Sequence, residues 1–411
     1  MAATTSPLPP LAVLAGVRTP FAKAFGALAD VPADQLGRVA VEGVLPRAGV
    51  RPADVNEVIF GNIAGPPDAA NISRVIALRA GIPNDRIAHT VGRNCASGID
   101  AVVSAWHSLA EGRSETIVAG GTESMTNIPF LWDDRAKDLL VEFKRAGFWR
   151  KLALLGKLRP RMLRPVVALE KGLTDPICGL NMGETAEVLA KEFGIGRDEQ
   201  DRFALESQHK AEAGQPRRAE EIFEVKTSDG AISRDEHPRP ATTMESLAKL
   251  PPVFREDGSV TAGNSSGITD GAAAMVLMSE SRSRVESREP LARVLGWSWA
   301  GVPPEIMGIG PVPATLRVLE RTGLALPDID LIEINEAFAA QVIACERELK
   351  FDRDRVNRNG GGISLGHPIG MSGARILLSL AYQMRDQGAS LGLATLCISG
   401  GQGLAVVLER I

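Results

Sequence analysis

Two segments far apart in the chain share one layout, and that repeat constrains the fold more than any other feature. Ala48–Asn62 reads AGVRPADVNEVIFGN and Thr322–Glu336 reads TGLALPDIDLIEINE. Each runs from a helix-ending glycine, Gly49 or Gly323, to an aspartate five residues on, Asp54 or Asp328, and then into an apolar strand. Each is followed by a glycine-bearing loop, an apolar helix, a strand and a double glycine. In the first half these are GRNCASG, a helix, and TIVAGG with Gly120 and Gly121; in the second, GGGISLGHPIGMSG, a helix with Ile376, Leu377, Leu380 and Met384, and LGLATLCISGG with Gly400 and Gly401. Two unrelated α/β units can look alike, but order, glycines and acid agree together here, which favours duplication. The expected fold class is α/β: two similar halves, each a mixed sheet layered with helices. The N-terminal domain is placed at 11–280 and the C-terminal domain at 288–411. A less regular inserted loop domain, about 122–260, interrupts the first.

A chain of 411 residues exceeds what one core supports, in keeping with two domains. A net charge of −4 argues against nucleic acid as partner. Cys95, Cys178, Cys345 and Cys397 are too few for a disulfide framework, and no CxxC or His-rich cluster offers metal ligands. MAATTSPLPP lacks the basic and apolar regions of a leader, and no stretch reaches the ~18–20 apolar residues of a membrane span. A soluble, cytoplasmic protein is expected. One stretch of the insertion stands out. From Lys144 to Lys171 nine basic residues face a single acid, Glu170, interleaved with Phe148, Trp149, Leu152, Leu154 and Leu155. A solvated helical face, a polyphosphate site, and a basic amphipathic surface for membrane or partner all fit this pattern.

The chemistry starts at Cys95 in VGRNCASGIDA. Ile99, Val102, Val103, Trp106 and Leu109 follow on one face at the helical period, so the thiol sits near a helix N-terminus. Free N–H groups and the helix dipole there favour a thiolate. Taken alone, such a cysteine more often packs as a small hydrophobe. Three further clusters change the reading: NEAFA with Asn335 and Glu336, GGGISLGHPIGMSG with His367, and CISGGQG with Cys397. With VRTPF, AGGTESM, NMGETAE, TAGNSSGITDGAAA and MGIGPVPA, these motifs cover nearly the whole chain, and together they resemble the thiolase family. The resemblance implies the duplicated thiolase fold and cleavage of 3-ketoacyl-CoA by CoA, reversible as a Claisen condensation.

Such a reaction needs a nucleophile, a proton donor for the departing carbanion, and donors for two oxyanions. The resemblance implies Cys95 as the acylated nucleophile, His367 as acceptor of its proton, and Cys397 as the acid/base for the acetyl-CoA enolate. His367, with a water held by Asn335, would face the thioester oxygen; Asn335 is also placed to cap the helix that follows. The backbone N–H groups of Cys95 and Ser399 would form the second hole. Family members commonly carry glycine where Ser399 stands, which puts the backbone geometry there in question. Ser266 is implied as a contact of the pantetheine arm, with Met307 and Phe338 on the pocket wall. Cys178 and Cys345 match no catalytic motif and read as packing.

Coenzyme A enters as a substrate; no metal or separate prosthetic group is expected. Asn181 stands where acetoacetyl-CoA thiolases often carry His. Gly61–Gly81, the basic insertion and Ser399 look more like the thiolase subunit of a fatty-acid oxidation complex, whereas NEAF departs from that subunit's usual HEAF. The expected function is therefore a 3-ketoacyl-CoA thiolase of β-oxidation, with acetoacetyl-CoA thiolase (acetyl-CoA C-acetyltransferase) as the alternative and a non-catalytic acyl-CoA-binding subunit as a remote one. A condensing ketoacyl synthase shares the fold but has no use for Cys397. The family implies a homodimer or homotetramer, with a hydratase/dehydrogenase partner subunit or peripheral membrane contact through 144–171 as further expectations.

Overall fold

The computed structural model describes residues 10–411, apart from the side chains at positions 161 and 163. The stretch read above as lacking a leader lies outside the described residues but for its last, Pro10. Nine strands run through one continuous sheet: β1 Leu11–Arg18, β2 Glu57–Gly61, β3 Ile87–Val91, β4 Thr116–Glu123, β5 Thr269–Ser279, β6 Ala292–Gly301, β7 Leu331–Ile334, β8 Leu391–Ile398 and β9 Gln402–Glu409. Their spatial order is β7-β8-β9-β6-β1-β5-β4-β2-β3, with the two-residue strand Ala22–Lys23 added on β5.

The duplication is explicit in this order. Moving outward from the centre, β1 pairs antiparallel with β5, β5 antiparallel with β4, and β4 parallel with β2. The other half repeats the pattern as β6, β9, β8 and β7. Even the parallel β3 has a vestige, a single bridge between Ile332 and Val356. The halves join where β1 and β6 pair antiparallel, Leu11 opposite Val294. Each of these strands shifts register once, between Val13 and Ala15 and between Val294 and Gly296.

The repeated segment that announced the fold has a local cause. Gly49 and Gly323 take left-handed φ values of 62° and 70°, which end a helix without a Cβ clash. A one-turn 3₁₀ helix follows in each half, Pro52–Asp54 and Leu326–Asp328. The carboxylates of Asp54 and Asp328 accept from the backbone N–H groups of Arg51 and Ala325, turning the chain into β2 and β7.

Seven helices matter for the site: α1 Ala33–Arg47, α2 Ser97–Ala110, α3 Met182–Glu192, α4 Arg197–Ala213, α5 Pro311–Thr322, α6 Ala339–Leu349 and α7 Ile369–Gln387. The apolar stripe read from the sequence of α2 is buried, and it meets Ile376, Leu377 and Leu380 of α7 in one core with residues of both halves of the sheet. Outside that central layer, α1 covers the N-terminal half, while α5 and α6 cover the C-terminal half. The helices α2 and α7 cross at a pair of glycines. A Cβ on Gly98 would come within 2.6 Å of Ala374 N, and one on Gly373 within 2.7 Å of Ile99 N. This contact brings the start of α2, just after Cys95, against the start of α7, just after His367.

Two sequence expectations change. The double glycines are not counterparts. Asn56 N donates to Thr116 O and Asp330 N to Leu391 O, so the matching strands begin at Thr116 and Leu391. Gly120 and Gly121 then correspond to Thr395 and Leu396 within β8, while Gly400 and Gly401 form the turn into β9. The insertion also runs from 124 to 268 rather than 122 to 260, because β4 extends to Glu123 and β5 starts at Thr269.

The insertion is clamped to the sheet by buried charge. Arg18 of β1 holds Glu221 at 3.1 Å and Asp235 at 2.7 Å, and Arg218 meets Asp235 at 3.3 Å. All four side chains are shielded from solvent, so removal of one partner leaves an uncompensated buried charge. By contrast, the helices Asp134–Arg145 and Phe148–Leu155 leave much of their apolar surface open, with Phe148 and Trp149 70% and 82% exposed.

Candidate active site

Cys95 sits in a single 3₁₀ turn, Asn94–Ala96, immediately before α2. Asn94 enters this turn with a φ of 46°, unusual for a side chain with a Cβ, and two contacts hold it there. The Ser97 hydroxyl donates to Asn94 O at 2.7 Å and accepts from Arg93 N at 2.8 Å. The Asn94 amide donates across the halves to Ser399 O at 3.0 Å. The backbone N–H groups of Ser399 and Cys95 favour the Cys95 thiolate. Burial nevertheless dominates. It pushes the thiol up to about 11, with the Glu123 carboxylate adding to the rise. Burial thus opposes the N–H groups and the helix dipole that favour the thiolate.

His367 lies in the loop before α7 and is buried. Ser372 Oγ donates to Pro368 O at 2.8 Å and lies 2.5 Å from His367 Nδ1. With its proton committed to Pro368, Ser372 accepts from Nδ1–H, which leaves the Nε2 lone pair facing the site. Burial, and after it the charge of Arg375, lowers the imidazole pKa to about 4. Asn335 brings its Nδ2 to 3.5 Å from His367 Nε2. Its Oδ1 is buried with no hydrogen-bond partner among the described residues. Asn335 does not cap α6, since Phe338 occupies that position.

Cys397 lies one residue before the end of β8, within an apolar cluster of Met182, Met307, Ala337 and Phe338. Burial raises its pKa well above the ordinary thiol value, and the Cys95 sulfur is close enough to raise it further. Ser399 is not among the non-glycine residues with positive φ; Gly400 and Gly401 take those values, 89° and 80°. Serine therefore costs no left-handed strain at this position.

These groups line one cavity of about 620 Å³, to which Cys95, His367, Cys397, Ser399, Ser266, Met307 and Phe338 all contribute. Asn335 stands behind it, on His367. The NSSG segment runs along the NEAFA segment: Ser266 N donates to Ala337 O at 2.9 Å, and Ser265 bridges to Phe338. Cys345 is buried on α6 with its thiol donating to Gly308 O, and Cys178 is not among the lining residues.

Four side chains escaped the sequence reading. Ser372 orients the imidazole. His237 lines the cavity and shares a 2.8 Å contact with Thr269 Oγ1, which itself accepts from His367 N at 3.0 Å. Glu123 is buried and accepts from Asn62 Nδ2, Ile63 N, Ala64 N and Gly370 N, tying the start of α7 to the first half. Ser372 and Glu123 lie inside motifs already noted, GHPIGMSG and AGGTESM, so their place beside the site's own residues was the available signal. His237 carried no such signal, because its partner Thr269 is distant in sequence.

Comparison with known proteins agrees with this geometry. Residues 11–281 match the family described as "Thiolase, N-terminal domain" and residues 288–410 that described as "Thiolase, C-terminal domain". The chain is 42% identical to an acetyl-CoA acetyltransferase of Rhizobium meliloti (strain 1021) over 409 residues, 98% of this chain and 99% of that one. It is 43% identical to a beta-ketoadipyl-CoA thiolase of Pseudomonas putida over 407 residues, 96% and 98% of the two chains. The crystal structure of human mitochondrial 3-ketoacyl-CoA thiolase in complex with CoA superimposes with a TM-score of 0.91 at 38% identity, over 100% of both chains. On fold, motifs and these likenesses together, the chain belongs to the thiolase family and is an acyltransferase of that family.

Proposed function

We propose that the protein is a 3-ketoacyl-CoA thiolase acting on medium and long acyl chains, as in β-oxidation. The observation that carries this reading is the convergence of Cys95, His367 and Cys397 on one largely apolar cavity. In the thiolytic direction His367 Nε2 takes the Cys95 proton as the sulfur bonds to the 3-keto carbon. The new oxyanion faces the N–H groups of Cys95 and Ser399. Its collapse breaks the bond between C2 and C3, and the electron pair moves to C2 to give the acetyl-CoA enolate. That enolate oxygen faces the Nε2–H that His367 has just gained and a water held by Asn335, while the Cys397 thiol protonates C2. CoA then gives its thiol proton to Cys397 and its sulfur attacks the acyl-cysteine. Cys95 leaves as thiolate and recovers its proton from His367. Condensation reverses every step.

Of the charged residues lining the cavity, Lys23 and Arg239 are the cations suited to CoA phosphates. Among the described residues, none of the basic run 144–171 lines it. The exposed Phe148 and Trp149 beside these bases instead support peripheral contact with an anionic membrane. Flotation with vesicles containing phosphatidylserine at low salt tests that contact, and absence of retention removes it. The reaction is tested by CoA-dependent cleavage of 3-ketoacyl-CoA substrates of four, eight and sixteen carbons, with Cys95→Ala as control. Activity that extends to sixteen carbons and is lost in the variant is expected. Activity confined to four carbons would make the protein an acetoacetyl-CoA thiolase instead.

A further inference from the structure

Phe25 is the oddest residue of the cavity wall. It occupies the third position of a turn closed by Gly26 N donating to Lys23 O at 2.8 Å, with a φ of 62°. That position and that φ normally belong to glycine or asparagine, and a bulky aromatic there is strained. The surroundings enforce the conformation from three sides. Phe25 N donates to Thr126 Oγ1 at 2.7 Å, and Thr126 is itself held by both oxygens of Asp270. Ala24 N donates to Ile268 O at 3.0 Å. Glu236 gathers Lys23 N and Ala27 N on one carboxylate oxygen, closing the loop behind the turn.

So much fixed backbone presents a phenyl ring that covers no core. Phe25 is 78% exposed, yet it lines the same cavity as Cys95, with Ile63 and Met125 from the same half of the molecule. Ile63 is also open to solvent. The rest of the apolar lining is packed differently. It is a closed apolar cluster of Met182, Met307, Phe338 and Cys397, with Leu173 and Phe254 packed on it. The lining around Cys95 thus combines a closed apolar cluster with exposed apolar surface held in a strained arrangement. Strain maintained at a cavity, without burial to account for it, points to function.

We propose that Phe25 is a specificity-determining residue for the acyl group, its ring forming the outer wall against which the chain of a longer 3-ketoacyl substrate lies. The inference rests on the long-chain reading given above. On this assignment the short acetoacetyl group leaves the ring untouched and Phe25 affects only the longer substrates. Lost apolar contact of this size changes discrimination by roughly tenfold or more.

The test compares kcat/KM for four-carbon and sixteen-carbon 3-ketoacyl-CoA in wild type, Phe25→Gly and Phe25→Leu, together with thermal unfolding of each. Phe25→Gly is expected to keep four-carbon activity within about twofold and to lose roughly tenfold or more on sixteen carbons. Its unfolding temperature should be no lower than wild type, because glycine relieves the left-handed φ. Phe25→Leu should keep most of the long-chain activity. A structural role would instead lower the unfolding temperature and reduce both activities together. An unchanged ratio between the substrates in Phe25→Gly overturns the assignment of Phe25 while leaving the long-chain reading intact. A wild-type protein inactive on sixteen carbons overturns both.

Discussion

Cys95 and His367 face one cavity with their pKa values driven apart, the thiol up to about 11 and the imidazole down to about 4. Between those limits both groups are neutral. A charged pair would have to be desolvated in the resting site, whereas a neutral pair moves its proton only as the sulfur attacks. The rate of Cys95 alkylation by iodoacetamide should therefore keep climbing as pH rises from about 6 to about 9, following the rising thiolate fraction. A rate already level below pH 7 would reveal a preformed thiolate and contradict this account. The sequence made the helix start after Cys95 legible, because Ile99, Val102, Trp106 and Leu109 are local. It did not make desolvation legible, since burial of the thiol depends on segments hundreds of residues apart. Ser399 shows the same limit in the other direction: its departure from glycine looked costly until the turn placed the positive φ values at Gly400 and Gly401.

At the level of elements, the geometry of the site depends on how closely α2 and α7 approach. Their crossing at Gly98 and Gly373 leaves no room for a Cβ, and the nearest atom opposite each is a backbone nitrogen. Gly98→Ala should cost about 1–3 kcal/mol of stability, as overpacking does in a dense core. It should also reduce thiolase activity, because the strain lies between the starts of the two helices that carry Cys95 and follow His367. Urea unfolding and kcat measured on the same preparation check both effects, and a variant as stable and active as wild type would show that the contact yields easily. Helix ends were the most readable elements: the sequence of Gly49 and Gly323 and of Asp54 and Asp328 carries its own turn chemistry. Strand register was not, and the double glycines misled for that reason. Gly120–Gly121 and Gly400–Gly401 look alike in sequence, but only hydrogen bonding shows that the first pair is within a strand and the second in a turn.

Across the whole molecule, duplication has produced one site rather than two. The reciprocal contacts of Gly98 and Gly373 make Gly370 the counterpart of Cys95, three residues before the crossing in each half. The strand starts at Thr116 and Leu391 make Thr122 the counterpart of Cys397, six residues on in each half. Thr122 donates its hydroxyl to Ala33 O and does no chemistry. Each half thus supplies one cysteine to a shared cavity, and neither half is complete alone. The repeat itself was visible in the sequence; which half kept which group came from the motifs, not from symmetry. If Cys95 carries the acyl group, peptide mass spectrometry after brief mixing with acetyl-CoA, in the absence of other substrate, will show the mass of one acetyl group on the peptide containing Cys95. That group should be discharged by added CoA, absent in Cys95→Ala and retained in Cys397→Ala. An acetyl group found on Cys397, or on no cysteine at all, would remove Cys95 as the nucleophile.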